Sequence, residues 1–114
     1  MDNGFRLRPS MLLGVSTSAV QADGGELGHS WNDWYAKGHI KDGFDPARAA
    51  GHWERWREDV LLMRKMGIQT CRLGIEWARV EPQEGVFDEC AISRIKEEIM
   101  LMSALGIRPL IMLQ

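Results

Sequence analysis

The sequence predicts an α/β fold in the order β-α-β-α-β, and three observations predict it. Two long segments place apolar residues at helical spacing, and three short segments read as strands. A helix end, a glycine and an apolar strand also recur with an offset of 39 residues: Met63-Arg64-Lys65-Met66-Gly67-Ile68 corresponds to Met102-Ser103-Ala104-Leu105-Gly106-Ile107. Repeated αβ units at a near-fixed period argue for right-handed βαβ crossovers and a parallel sheet. Two architectures satisfy that pattern, an open doubly-wound sheet and part of a (β/α)8 barrel.

Each element has its own local reason. Residues 11–17 are a short apolar run of strand length. Residues 18–51 show little periodicity and are punctuated by Gly24, Gly25, Gly28, Gly38, Gly43 and Gly51. A connection this long inside a compact domain is usually functional. In residues 52–66, Trp53, Trp56, Val60 and Met63 form one stripe of an amphipathic helix, and Gly67 stands where a left-handed terminal residue belongs. Residues 68–77 alternate Cys71, Leu73 and Ile75, a strand signature. Asp88 is an N-cap candidate for a second helix with the stripe Ile92, Ile95, Ile99 and Met102, which stops at Gly106. Residues 107–113 are nearly all apolar, as a strand covered on both faces would be.

With 114 residues, 45% of them hydrophobic and 26% charged, the composition is that of one globular domain. A net charge of -2 offers no basic excess for phosphates, so a nucleic-acid partner is disfavoured. No apolar run approaches the ~20 residues that span a bilayer, and the start lacks a secretory pattern. Cys71 and Cys90 make no disulfide framework and read as reduced, largely buried residues of a cytoplasmic protein. A closed barrel needs eight strands and about 250 residues. Three strands would leave open edges and a bare inner face, so the expectation is a chain that begins naturally and breaks off at the carboxyl end.

Chemical motifs are few. Gly24-Gly25-Glu26-Leu27-Gly28 lacks dinucleotide spacing and no helix follows it directly. His29, His39 and His52 have no ligand spacing and read as surface or loop residues, so neither metal nor cofactor is expected. Trp53 and Trp56 are explained by helix packing, Trp31 and Trp34 in the long connection keep a carbohydrate reading, and Trp77 is undecided. Glu76 ends the second strand, where barrel active sites lie, but pairing with Arg72 or Arg79 is the favoured expectation. No second strand-end carboxylate accompanies it, and glycosidic chemistry needs two. Arg72 interrupts an apolar strand; buried, it needs an anion, from elsewhere in a barrel or from Glu76. Gln21, with Ser16-Thr17-Ser18, follows the first strand and can bond a polar ligand or satisfy loop backbone.

Four stretches together resemble the amino-terminal portion of glycoside hydrolase family 1, the β-glucosidases and their relatives. Leu13-Gly14-Val15-Ser16-Thr17-Ser18-Ala19-Val20-Gln21 resembles the family's first strand, W-G-x-A-T-[SA]-[SA]-x-Q. Trp53-Glu54-Arg55-Trp56-Arg57-Glu58-Asp59-Val60 with Met66-Gly67 resembles its first helix. Cys71-Arg72-Leu73-Gly74-Ile75-Glu76-Trp77-Ala78-Arg79-Val80-Glu81-Pro82 resembles the second strand's R-x-[SG]-[IL]-x-W-x-R-[IV]-x-P, and Gly106-Ile107-Arg108-Pro109-Leu110-Ile111-Met112-Leu113 its third. The resemblance implies a partial (β/α)8 barrel of three strands and two helices. It implies a retaining mechanism with one Glu as acid/base and one as nucleophile. Gln21 matches the glutamine that bonds sugar hydroxyls, and Arg72 the arginine that holds the nucleophile ionised. Trp77, Arg79 and Pro82 match positions read as structural.

The departures are specific. Neither the N-E-P motif of the acid/base nor the [IT]-x-E-N-G motif of the nucleophile is present, so no catalytic residue is assigned. The family's sugar-binding His would come one residue beyond Gln114, Leu13 and Val20 replace aromatic residues, and Gly51 replaces an Asp. The expectation is therefore residues 1–114 as the amino-terminal part of a single β-glycosidase barrel, inactive alone, whose substrate is a β-glycoside and whose activity returns with a complementing carboxyl-terminal chain. The rival readings are a non-catalytic sugar-binding or interaction protein and a small doubly-wound domain with another ligand.

Overall fold

The computed structural model describes residues 4–25 and 28–114. In chain order the elements are β1 (Gly14–Ser16), α1 (Ala19–Ala22), α2 (Ser30–Ala36), α3 (His52–Lys65), β2 (Thr70–Ile75), α4 (Trp77–Val80), α5 (Glu89–Ala104) and β3 (Arg108–Leu113). The strands form one parallel sheet in the order β1-β2-β3, with Val15 opposite Cys71 and Cys71 opposite Pro109. Among the described residues no helix is long and apolar enough to cross a membrane.

The 39-residue echo is a duplicated helix terminator. Gly67 and Gly106 take φ of 78° and 75°. At each, the glycine N–H and the following N–H turn back into the helix: Gly67 to Arg64 and Ile68 to Met63, then Gly106 to Ser103 and Ile107 to Met102, at 2.9–3.1 Å. This is the Schellman pattern that satisfies the last carbonyls and releases the chain into a strand. Asp88 caps α5 as expected, its Oδ1 accepting from the Ala91 N–H at 3.0 Å.

Two strands are shorter than the sequence suggests. β1 begins only at Gly14 because the Leu13 N–H is taken by the Gln69 side chain (2.8 Å) instead of the ladder. β2 ends at Ile75, where the backbone coils into α4 and the Arg79 N–H bonds the Glu76 carbonyl at 3.0 Å. The long connection carries α1 and α2, which lack apolar periodicity. α2 is capped by His29, an unusual cap, whose Nδ1 accepts from Trp31 (3.1 Å) and Asn32 (3.3 Å).

The core lies on one face of the sheet. Trp56 and Val60 of α3 and Met102 of α5 pack over Cys71, Leu73 and Ile107, and a second cluster joins Ile75, Val80 and Ile95. Cys90, by contrast, is exposed at the start of α5, correcting the expectation that both thiols are buried. The alternation of β2 sends Arg72 to the other face, where among the described residues no helix packs over it, so Arg72 is exposed. That corrects the buried-arginine expectation: an apolar strand run predicts burial only where both faces are covered.

His52 also departs from its expected surface position. It is buried at the start of α3, with Nδ1 2.7 Å from Asp59 and Nε2 2.5 Å from Glu98. Glu98 is itself buried and paired with Arg94, which also donates to the carbonyls of His52 (3.1 Å) and Trp53 (2.9 Å). Burial opposes the His52 charge, but the Glu98 hydrogen bond and charge, the Asp59 hydrogen bond and the Asp23 charge outweigh it and raise its pKa to about 9. Burial pushes the nearby Asp23 carboxyl up to about 6, against the pull of His52, Arg79 and Arg94.

Both folded-state pKa values lie above the unfolded ones, so the native chain binds these protons more tightly and loses stability as pH rises. The His52 contribution is complete below pH 6.5 and is lost through about pH 9; that of Asp23 is lost between 3.8 and about 6. Asp23→Asn removes the cost of the buried charge. In urea titrations it is expected to be more stable than the parent above pH 6 by about 1–3 kcal/mol, with the difference vanishing below pH 4. Met102→Ala, at the centre of the core, is expected to cost about 2–5 kcal/mol and to lower the urea midpoint without changing the slope.

Candidate active-site cleft

The three strands deliver polar residues to one end of the sheet. After β1 the chain turns at Thr17, whose N–H bonds the Arg72 carbonyl at 2.9 Å, and enters α1 with Gln21. After β2 comes Glu76. After β3 comes Gln114, whose N–H bonds the Ile75 carbonyl (3.0 Å) and whose carbonyl accepts from Trp77 (2.7 Å). Gly74 lets these ends converge: a Cβ there would lie 3.1 Å from both the Ala19 nitrogen and the Gln114 Oε1.

Above this floor opens a cleft of about 610 Å³. Ser18, Gln21, Glu76 and Gln114 form its polar side, and His29, Trp31 and Phe44 of the long connection form its wall. Trp31 is 51% exposed, so its indole face is available to an apolar ring surface. The His29 Nδ1 is committed to its cap, which leaves Nε2 to meet a ligand. The mix of a flat aromatic, amides, a hydroxyl and one carboxylate suits a neutral polyhydroxylated molecule with apolar C–H faces.

The candidates separate. Gln21, Glu76 and Trp31 share the cleft, whereas Trp34 stacks on His39 at 4.2 Å outside it. Trp77 turns away: its indole N–H donates to Glu81 at 2.7 Å. The Gly85 N–H and that indole together hold the Glu81 carboxyl below its ordinary value. Trp56 is buried core and Trp53 packs against the second cluster, as helix spacing predicts. Arg72 lies on the bare sheet face, opposite Ser16 and Leu110 in register.

The favoured pairing of Glu76 with Arg72 or Arg79 is not made; neither lies within 4 Å of its carboxylate among the described residues. Four residues of extended chain hold Arg72 about 13 Å back along the strand, and Arg79 is drawn to Trp53, with its guanidinium carbon 3.9 Å from a ring centroid. Glu76 therefore faces the cleft and, on its other side, the Asp23–Arg79–Arg94–Glu98 cluster. Sequence reasoning missed this cluster. Its one local signal was Glu98, a charged residue on the apolar stripe between Ile95 and Met102.

Known proteins share this fold. The chain is 31% identical over 109 residues to "Beta-glucosidase A" of Acetivibrio thermocellus, covering 90% of this chain and 24% of that one. It is 36% identical over 81 residues to "Probable inactive beta-glucosidase 14" of Oryza sativa subsp. japonica, covering 66% and 16%. The solved family 1 β-glucosidase of Thermotoga maritima superposes with a TM-score of 0.85 at 25% identity, covering 95% of this chain and 26% of that structure. The chain thus spans about a quarter or less of the relatives it matches, and its β-α-β-α-β unit is part of a (β/α)8 barrel, not a doubly-wound sheet. Residues 5–114 match glycosyl hydrolase family 1, and the chain belongs to that family.

Proposed function

We propose that residues 1–114 are the opening strands of a retaining β-glycosidase, acting in the hydrolysis of O-glycosyl bonds in β-glycosides. One observation carries this reading: Gln21, Glu76 and Trp31, delivered by separate parts of the chain, line a single cleft at the carboxyl ends of the strands. Active sites of (β/α)8 barrels lie at that end.

In this reading Gln21 accepts and donates hydrogen bonds to sugar hydroxyls while Trp31 covers a ring face. Arg72, on the inner face of the sheet, stabilises the ionised form of a nucleophilic carboxylate from a later strand. Retaining hydrolysis needs an acid/base and a nucleophile about 5 Å apart, and the N-E-P and [IT]-x-E-N-G motifs that would carry them are absent from these residues. The 114 residues alone therefore bind without catalysing. The free thiols Cys71 and Cys90 favour a reducing compartment, the cytoplasm. A purely sugar-binding role is the second reading, favoured by the similarity to a relative named as probably inactive.

Two measurements check this. The chain alone is expected to hydrolyse an aryl β-glucoside no faster than a protein-free control, and a chain supplying strands four to eight is expected to restore turnover; continued silence in the mixture removes the complementation. Glucose is expected to change tryptophan fluorescence in a saturable manner, with Gln21→Ala weakening the response about ten-fold. A flat response in the parent chain removes the sugar reading.

A further inference from the structure

The turn that presents Gln21 cannot hold itself. α1 is four residues long, and a single helical turn is unstable in isolation. Its carboxyl end runs into Asp23, Gly24 and Gly25, the glycine pair that fits no nucleotide motif.

Those glycines are shaped for close contact from outside. Gly24 and Gly25 take φ of 83° and 96°. A Cβ on Gly24 would lie 3.0 Å from the Arg48 carbonyl oxygen, and one on Gly25 would lie 3.2 Å from Arg79 Nη2. The Gly25 N–H bonds the Ala47 carbonyl at 2.8 Å, and the Trp53 N–H bonds the Asp23 carbonyl at 3.2 Å. The Gly24 carbonyl accepts from Arg79 Nη2. Trp53 fixes the guanidinium in turn, with Arg79 3.9 Å and Arg94 4.1 Å from ring centroids of its indole. Arg94 is anchored by Glu98.

We infer that Arg79 is a positioning residue for Gln21: stacked on Trp53, it clamps the Gly24 carbonyl and so fixes the turn from which Gln21 reaches the cleft. The inference rests on the sugar-binding reading of Gln21 for its purpose, but not for its mechanics. Arg79 is not among the residues lining the cleft, and it reaches the turn through the Gly24 carbonyl. Among the described residues its Nε is buried without a hydrogen-bond partner, so the hold they show is the stack and the Nη2 bond. A flat guanidinium supplies both at once; an ammonium supplies the bond alone.

Amide hydrogen exchange on the ligand-free chain tests the clamp. In Arg79→Met the protected amides of Gln21, Ala22, Asp23 and Gly25 are expected to exchange about ten-fold faster or more, with β2 and α5 unchanged. Arg79→Lys is expected to recover part of the protection. Gly25→Ala pushes on the same contact from the loop side and is expected to give the same local pattern, with Arg79→Met adding little on top of it. Unchanged exchange in the turn, or equal acceleration throughout β2 and α5, overturns the inference. Should Arg79→Met fail to fold, Arg79→Lys decides by the same criterion: faster exchange confined to the turn supports the clamp, and parent-like exchange overturns it. Exchange is read without sugar, so a flat glucose titration would remove the role of Gln21 and leave the clamp standing.

Discussion

Glu98 sits between two helices with 1% of its surface exposed, and a carboxylate so placed must keep its cations. His52 and Arg94 are those cations, one from the first turn of α3 and one from α5 itself. Because Arg94 also bonds the carbonyls of His52 and Trp53, the start of α3 cannot shift without exposing a buried charge. Trp53 then carries the constraint outward to Arg79, and Arg79 to the glycine turn. A charge buried on the outer side of the sheet thus sets the shape of a cleft at its end.

The two faces of the sheet are covered unequally. Cys71, Leu73 and Ile75 lie under helices, while on the opposite face Leu110, in register with Arg72, is 62% exposed; Leu113, in register with Ile75 on the helix side, is 64% exposed on the edge strand. In a closed (β/α)8 barrel, further strands and helices cover such positions. The exposed Arg72 follows the same logic. An arginine on a bare face is solvated and costs little, whereas inside a closed barrel it requires a carboxylate.

Much of the fold was legible because its signals are local. The stripes of α3 and α5, the cap at Asp88 and the stops at Gly67 and Gly106 each depend on residues within a turn or two. Gln21 and Glu76 were legible as strand-end residues for the same reason. What stayed hidden depended on distance or coverage. Nothing near His52 announces that Glu98, 46 residues away, will meet its ring. The exposure of Arg72 depends on what covers the sheet's second face, which no strand pattern encodes. The short α2 escaped notice because a histidine ring performs the capping usually done by Ser, Thr, Asp or Asn.

Glycines in this chain are kept for two unlike reasons, and they would drift differently under mutation. At Gly67 and Gly106 an added methyl would touch nothing within 4 Å; handedness alone is required there. Asparagine, which tolerates that handedness, is the natural substitute. At Gly74 the backbone is ordinary and an added methyl would meet the Ala19 main-chain nitrogen and the Gln114 side-chain amide, both at 3.1 Å. Variation among relatives should therefore follow backbone handedness at the two helix ends and side-chain size at the strand, where a branch must displace the Ala19 backbone or the Gln114 amide by a few tenths of an ångström at the floor of the cleft.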